Sequence, residues 1–151
     1  MILKTEQVEL FELLKAFYEI TGIKTALYNT DFEEILAYPI ENCPLCREIQ
    51  KCYSTRCTQS NMLLFEECKK QDNVVIRTCH AGLTEAACPL KTEGGTVIGY
   101  IMYGQITNQP DRKRFCVSIS EKLSEMPQID AGIAESSKDI TCFSDSQLKA
   151  V

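Results

Sequence analysis

VVIRTCHAGLTEAACPLKTEGGTVIGYIMYGQ, residues 74–105, is the stretch from which the fold is read. Val74, Val75 and Ile76 form a short β-rich apolar run that delivers Cys79 and His80, the single histidine of the chain. Ala81-Gly82-Leu83 breaks that run, Ala86 to Leu90 begins another, and Glu93-Gly94-Gly95 reads as a turn. Thr96 to Tyr103 reads as a further strand, with Val97, Gly99, Ile101 and Tyr103 on one face and Ile98, Tyr100 and Met102 on the other. A strand apolar on both faces belongs in the middle of a sheet. Strands joined by Gly-rich turns make an antiparallel meander.

Outward from this core, Ile23–Tyr28 alternates like a strand, Asn29-Thr30-Asp31 has turn chemistry, and Glu34–Tyr38 returns as the hairpin partner. Thr5–Ile20 reads as an amphipathic helix. Its stripe is Leu10, Leu13, Leu14 and Phe17, extended by Val8, Phe11 and Tyr18. Glu6 and Glu9 suit its N-terminal dipole, and Gly22 is a natural stop. Between Thr58 and Gln71, Met62, Leu63, Phe65 and Cys68 sit at helical spacing. Pro110-Asp111 can start another helix, in which Phe115, Ile119 and Leu123 repeat every fourth residue and which Met126-Pro127 ends. Asp130 to Asp139 is polar and reads as loop. Ser144-Asp145-Ser146-Gln147 reads as a capping box whose helix is cut off at Val151, the pattern of a fragment from a longer protein. The expected organisation is a single domain over 1–141, with 142–151 starting a helix toward an output domain. The expected fold class is α+β, an antiparallel sheet flanked by helices.

A chain of 151 residues, 44% hydrophobic and 25% charged, can bury a core and is neither a disordered nor a membrane sequence. No apolar run approaches the roughly 20 residues of a membrane span, and the N-terminus lacks a signal-peptide pattern, so a cytoplasmic protein is expected. The net charge of −5 lies in residues 1–41, which hold eight acids against three bases. An acidic first third without a basic stripe argues against direct contact with nucleic acid.

Nine cysteines is the unusual number. An odd count without a signal peptide fits a disulfide framework badly. Three readings stay open. Cys43-Pro44-Leu45-Cys46 has the spacing by which one loop supplies two metal ligands, which Cys57, Cys79 and His80 would complete from other elements, for zinc or an iron–sulfur cluster. A CxxC at a helix start can also carry a lowered thiolate pKa, with Cys52 and Cys57 as resolving thiols. Alternatively the cysteines are small buried hydrophobes, the reading preferred for Cys68, Cys88, Cys116 and Cys142.

An enzyme reading would use Cys79 as nucleophile beside His80. Neighbours on a strand point to opposite faces, and Walker, GxGxxG and HExxH motifs are absent, so no catalysis is expected. His80, at a strand end before a small-residue turn, is placed to line a cavity, and Gln105 can offer both a donor and an acceptor there. Tyr100 and Tyr103 face opposite ways, so only one can share that cavity; Tyr103 is the candidate taken.

Cys79-His80-Ala81-Gly82-Leu83, Pro89-Leu90 and Ile98 to Gln105 together resemble the PocR-type sensory domain, a PAS-like ligand-binding module of bacterial and archaeal regulators. The likeness runs more loosely over residues 5–108, and the 23–38 hairpin suits a PAS-like start. Cys46, Cys57 and Cys79 match its cysteine positions, whereas Cys43, Cys52 and Cys88 depart from them. The resemblance implies a sensory domain that binds a small metabolite, such as a short polyol, with Cys46, Cys57, Cys79, His80, Tyr103 and Gln105 as candidate ligand-lining residues. The alternative is a metal- or iron–sulfur-dependent redox sensor using Cys43, Cys46, Cys57, Cys79 and His80. It further implies an attached output domain, an AraC-like DNA-binding domain or a histidine kinase, and a first helix that can serve a homodimer contact.

Overall fold

The computed structural model describes residues 4–150, so the expected 1–141 domain and 142–151 helix start extend beyond it at their outer ends. Helix α1 (Lys4–Thr21) leads into strands β1 (Lys24–Tyr28) and β2 (Glu34–Tyr38), followed by the long helix α2 (Pro44–Lys70). Strands β3 (Val75–Thr78), β4 (Thr84–Lys91) and β5 (Val97–Ile106) come next, then α3 (Arg112–Ser124), a 3-10 segment (Ala131–Asp139) and α4 (Asp145–Ala150). The strands form one antiparallel sheet in the order β2-β1-β5-β4-β3. This is the expected α+β architecture, one antiparallel sheet flanked by helices, with β5 in the centre as its two apolar faces require.

Each face of β5 meets its own helix. Tyr100 and Met102 pack with Ala26, Tyr28 and Ala87 under Leu64, Phe65 and Cys68 of α2. On the opposite face Tyr103 joins Ile23 and Ala86, and its ring lies 5.9 Å from that of Phe17 on α1. A second core, made by Leu45, Ile49, Leu83, Phe115, Ile119 and Leu123, joins the start of α2 to α3. Two backbone details fit the residues present. Pro89 pairs with Tyr100 of β5 but lies beyond the last β3–β4 pair, Val75 with Ala87, where β4 is an edge on the β3 side and proline is tolerated. Gly99 sits where β1 and β5 run so close that a Cβ would come within 2.5 Å of the Tyr28 carbonyl oxygen.

Three expectations change. In α1 the buried side is Leu14 with Phe11, Phe17 and Tyr18, and Phe11 and Tyr18 meet the Tyr38 ring at 5.3 and 5.6 Å. Leu13 and Val8 face outward, because the aromatic residues define a stripe rotated from the leucine one. Residues 131–139, read as loop, wind into a 3-10 helix capped by the Asp130 carboxylate on the Gly132 N–H. Finally, α2 begins at Pro44, with Cys43 as its N-cap, and takes in Cys46, Cys52 and Cys57, with one non-helical residue, Tyr53, kinking it. Proline at the first helical position gives up an N–H that has no partner there in any case. The capping box at Ser144 forms as read: the Gln147 N–H donates to Ser144 Oγ and the Ser144 N–H to Gln147 Oε1.

Candidate functional site

A cavity of about 380 Å³ lies between the first half of α2 and the end of the sheet. The helix contributes Cys46, Gln50, Ser54, Cys57, Thr58 and Asn61. These residues recur every three or four positions, so they lie on one stripe of the helix. The Tyr53 kink falls in the middle of that stripe. The sheet contributes Ala26 and Tyr28 from β1 and Met102 and Gly104 from β5, alternate positions that share one face.

The turn between β3 and β4 closes one end. The Gly82 N–H donates to the Cys79 carbonyl and the Cys79 N–H to that of Leu83, at 3.0 and 2.8 Å, with Gly82 in the left-handed region (φ +95). A side chain there would be strained and would also press on Ile119. Ser60 Oγ of α2 accepts the His80 backbone N–H at 3.1 Å, fixing the turn against the helix. His80 Nε2 then lies 3.1 Å from Cys57 Sγ. Its Nδ1 is buried and has no partner among the described residues. Burial, with the nearby Arg56 charge adding to it, pushes the imidazole below its ordinary pKa and favours the neutral ring. The partner of His80 is therefore Cys57, 23 residues upstream, rather than its neighbour Cys79.

At the other end, β5 carries a bulge. Thr84 pairs with Ile106 and Ala86 with Tyr103, so Gly104 and Gln105 together oppose Glu85. Gln105 takes up the extra length at φ +60. Its Oε1 accepts the Cys43 N–H and its Nε2 donates to Asn42 Oδ1, both at 2.6 Å. The donor and acceptor expected for a ligand thus already hold the start of α2. Lys24 sits beside them, and its ammonium donates to the carbonyls of Pro39, Ile40 and Glu41.

Of the residues singled out from sequence, Cys46, Cys57, Cys79, His80 and Gln105 line this cavity. Tyr103 does not: it faces α1 on the other side of the sheet, because Met102 and Gly104 occupy the alternate positions that face inward. Cys43, Cys46, Cys57, Cys79 and His80 are not gathered as a metal centre. Among the described residues no group of three or more His, Cys, Asp or Glu side chains is placed to hold an ion. The physical reason is α2, which spreads the cysteines along its length and leaves them in pairs. Cys57 meets His80, while Cys43 and Cys46 meet at the helix start, where a hydrogen bond between their thiols holds Cys43 below the ordinary thiol range and pushes Cys46 above it. Burial raises Cys79 to about 12 and Cys57 in the same direction, with Glu85 contributing to both. Cys52 is exposed and Cys68 is buried beneath the sheet.

Sequence reasoning missed the polar stripe of α2 and, more consequentially, Glu85. This carboxyl lines the cavity, and burial raises its pKa to about 7, with Arg77 opposing the shift. A lone acid inside the otherwise apolar run from Leu83 to Leu90 was the available signal.

Residues 5–151 match the model of the sensory domain found in PocR. The chain is 28% identical over 142 residues to the regulatory protein PocR of Salmonella typhimurium, covering 85% of this chain and 46% of that protein. It therefore spans about half the length of that curated relative. Among solved structures it is similar to a phage VqmA–DPO complex (14% identity, 88% of this chain and 79% of that one, TM-score 0.42). It is likewise similar to a Rhodobacter sphaeroides LOV protein (12% identity, 91% and 90% covered, TM-score 0.40). Among the described residues no helix is long and apolar enough to cross a membrane.

Proposed function

The chain belongs to the PocR sensory-domain family, and from that premise we propose that it senses a small polar metabolite, of the size of a short polyol, in the cavity between α2 and the sheet. The observation that carries this reading is the cavity itself, about 380 Å³ and lined by hydroxyl, amide, thiol and carboxyl groups along one stripe of α2 and one face of the sheet. That volume is within the range of small-molecule sites. A ligand held there touches α2, β1, β5 and the Cys79–Gly82 turn at once. It would favour whichever packing of α2 on the sheet suits it, by differential affinity for two states.

In this reading the shift is passed to an attached output domain, AraC-like or kinase, and the outward Val8, Leu13 and Ile20 of α1 form the contact with a second copy. The reading is tested by a thermal-shift screen of short polyols on the full chain. Ligands should raise Tm in the wild type and less in Cys79→Ala and His80→Ala, while Cys116→Ser and Cys142→Ser respond normally. A screen in which the wild type and His80→Ala respond identically would sink it.

A second reading has its own observation, the paired thiols of Cys43 and Cys46 at the start of α2. Closing them into a disulfide removes two electrons and two protons, taken up by a low-molecular-weight disulfide that leaves as two thiols. Because Cys46 lines the cavity, the bridge would alter the ligand site. Cysteine-by-cysteine alkylation after mild oxidation decides it: protection of any pair other than these two argues against this reading.

A further inference from the structure

We infer that Glu85 is the anchor of the ligand in this cavity, and that the ligand donates a hydrogen bond to it and carries no negative charge; this rests on the cavity being the sensory site.

The argument is an inventory of polar groups that the fold leaves unused. Among the described residues Lys24 is the one cation lining the cavity, and its ammonium is fully engaged by the carbonyls of Pro39, Ile40 and Glu41 at 2.6, 3.1 and 3.1 Å. Arg77, the cross-strand neighbour of Glu85, turns its guanidinium to Glu67 of α2 at 3.2 Å. His80 is neutral by its burial, with Nε2 facing Cys57 and Nδ1 buried without a partner among the described residues. Among the described residues, therefore, no cavity-lining cation has a donor left for a carboxylate or phosphate.

Its acceptors are a different matter. Glu34 accepts from the Tyr28 hydroxyl at 3.3 Å. Glu85, by contrast, lines the cavity half-buried and makes no hydrogen bond or ion pair with a described residue. Its acceptors are uncommitted, so a donor from the ligand displaces no protein partner. Placement supports the same role. Glu85 stands opposite the Gly104–Gln105 bulge, and bulges commonly re-aim side chains at functional sites. Gly104 puts no side chain in front of it. A hydroxyl or an ammonium can donate to Glu85; an acid of the same size adds a second negative charge with nothing to receive it.

The experiment titrates glycerol, 3-aminopropane-1,2-diol and glycerate into the full chain by calorimetry, using wild type, Glu85→Gln and Glu85→Ala. In the wild type, glycerol and the amino diol should bind and glycerate at least roughly tenfold more weakly. Glu85→Ala should lose roughly tenfold for glycerol, the loss of one buried hydrogen bond. Glu85→Gln retains a carbonyl acceptor, so it should keep most of the glycerol affinity and lose the amino diol selectively. Thermal melts of both variants establish that they are folded, and the near-isosteric glutamine keeps the test valid if the alanine variant does not fold. Glycerol affinity unchanged in both variants would overturn the role of Glu85, and glycerate binding as well as glycerol would overturn the charge rule. Failure of all three probes to bind the wild type would instead overturn the sensory-site reading, and the inference with it.

Discussion

The backbone N–H of Cys43 donates to Oε1 of Gln105 at 2.6 Å, across 62 residues of sequence. With the second bond, from Gln105 Nε2 to Asn42, it fastens the start of α2 to the end of the central strand, at the rim of the cavity. The arrangement depends on Gln105 occupying the left-handed region at φ +60, where a residue with a side chain is strained. The cavity is thus closed at one end by a bulge and a clamp, and at the other by the Cys79–Gly82 turn held on Ser60.

Gln105→Ala keeps the strain and loses both bonds, and should destabilise the domain by about 1–3 kcal/mol in urea unfolding. Gln105→Gly loses the same bonds but relieves the backbone, so it should be the milder change. The reverse order would mean that the clamp contributes little.

Gly99→Ala should be among the most damaging single changes. Its Cβ would stand 2.5 Å from the Tyr28 carbonyl oxygen, on backbone that cannot move without separating β1 from β5. A cost of about 3 kcal/mol or more is expected, visible as a lowered melting temperature. Gly95→Ala is the comparison: it has open space around it, so only the strain of φ +83 counts.

Glu85 gives the stability a pH dependence of definite sign. Its folded pKa, about 7, lies above the ordinary 4.5, so the folded state holds a proton that the unfolded chain has released. The associated stability is complete below 4.5 and is lost as pH rises through 7, by up to about 3 kcal/mol. Glu85→Gln should flatten that fall in denaturation curves between about pH 5 and 8. An equally steep fall in the variant would assign it to another group.

The cysteines should separate by reactivity. With Cys43 held down by Cys46 and the thiols of Cys46, Cys57 and Cys79 pushed up, brief alkylation near neutral pH should label Cys43 ahead of those three. Buried Cys68 should lag as well, since burial raises it to about 11. Peptide mass spectrometry after a short pulse reads the order directly, and labelling of Cys46 before Cys43 would contradict the arrangement at the helix start.

Local pattern determined much of this protein. The two-faced apolar run of β5 specified its central place, the Asn29–Asp31 turn its hairpin, Gly82 the sharp reversal after His80, and Ser144–Gln147 a cap that forms as written. These features depend on neighbours a few residues apart, where periodicity and turn chemistry act. The tertiary structure decided what those elements bring together. Cys57 rather than Cys79 meets His80 because α2, kinked at Tyr53, lays its stripe over the turn. Tyr103 is lost to the site because strand neighbours alternate faces, and Gln105 is diverted to Asn42 and Cys43 by one extra residue in the ladder. Glu85 is marked in sequence only as a lone acid in an apolar run; that its acceptors are uncommitted is a property of the whole fold and not of the strand that carries it.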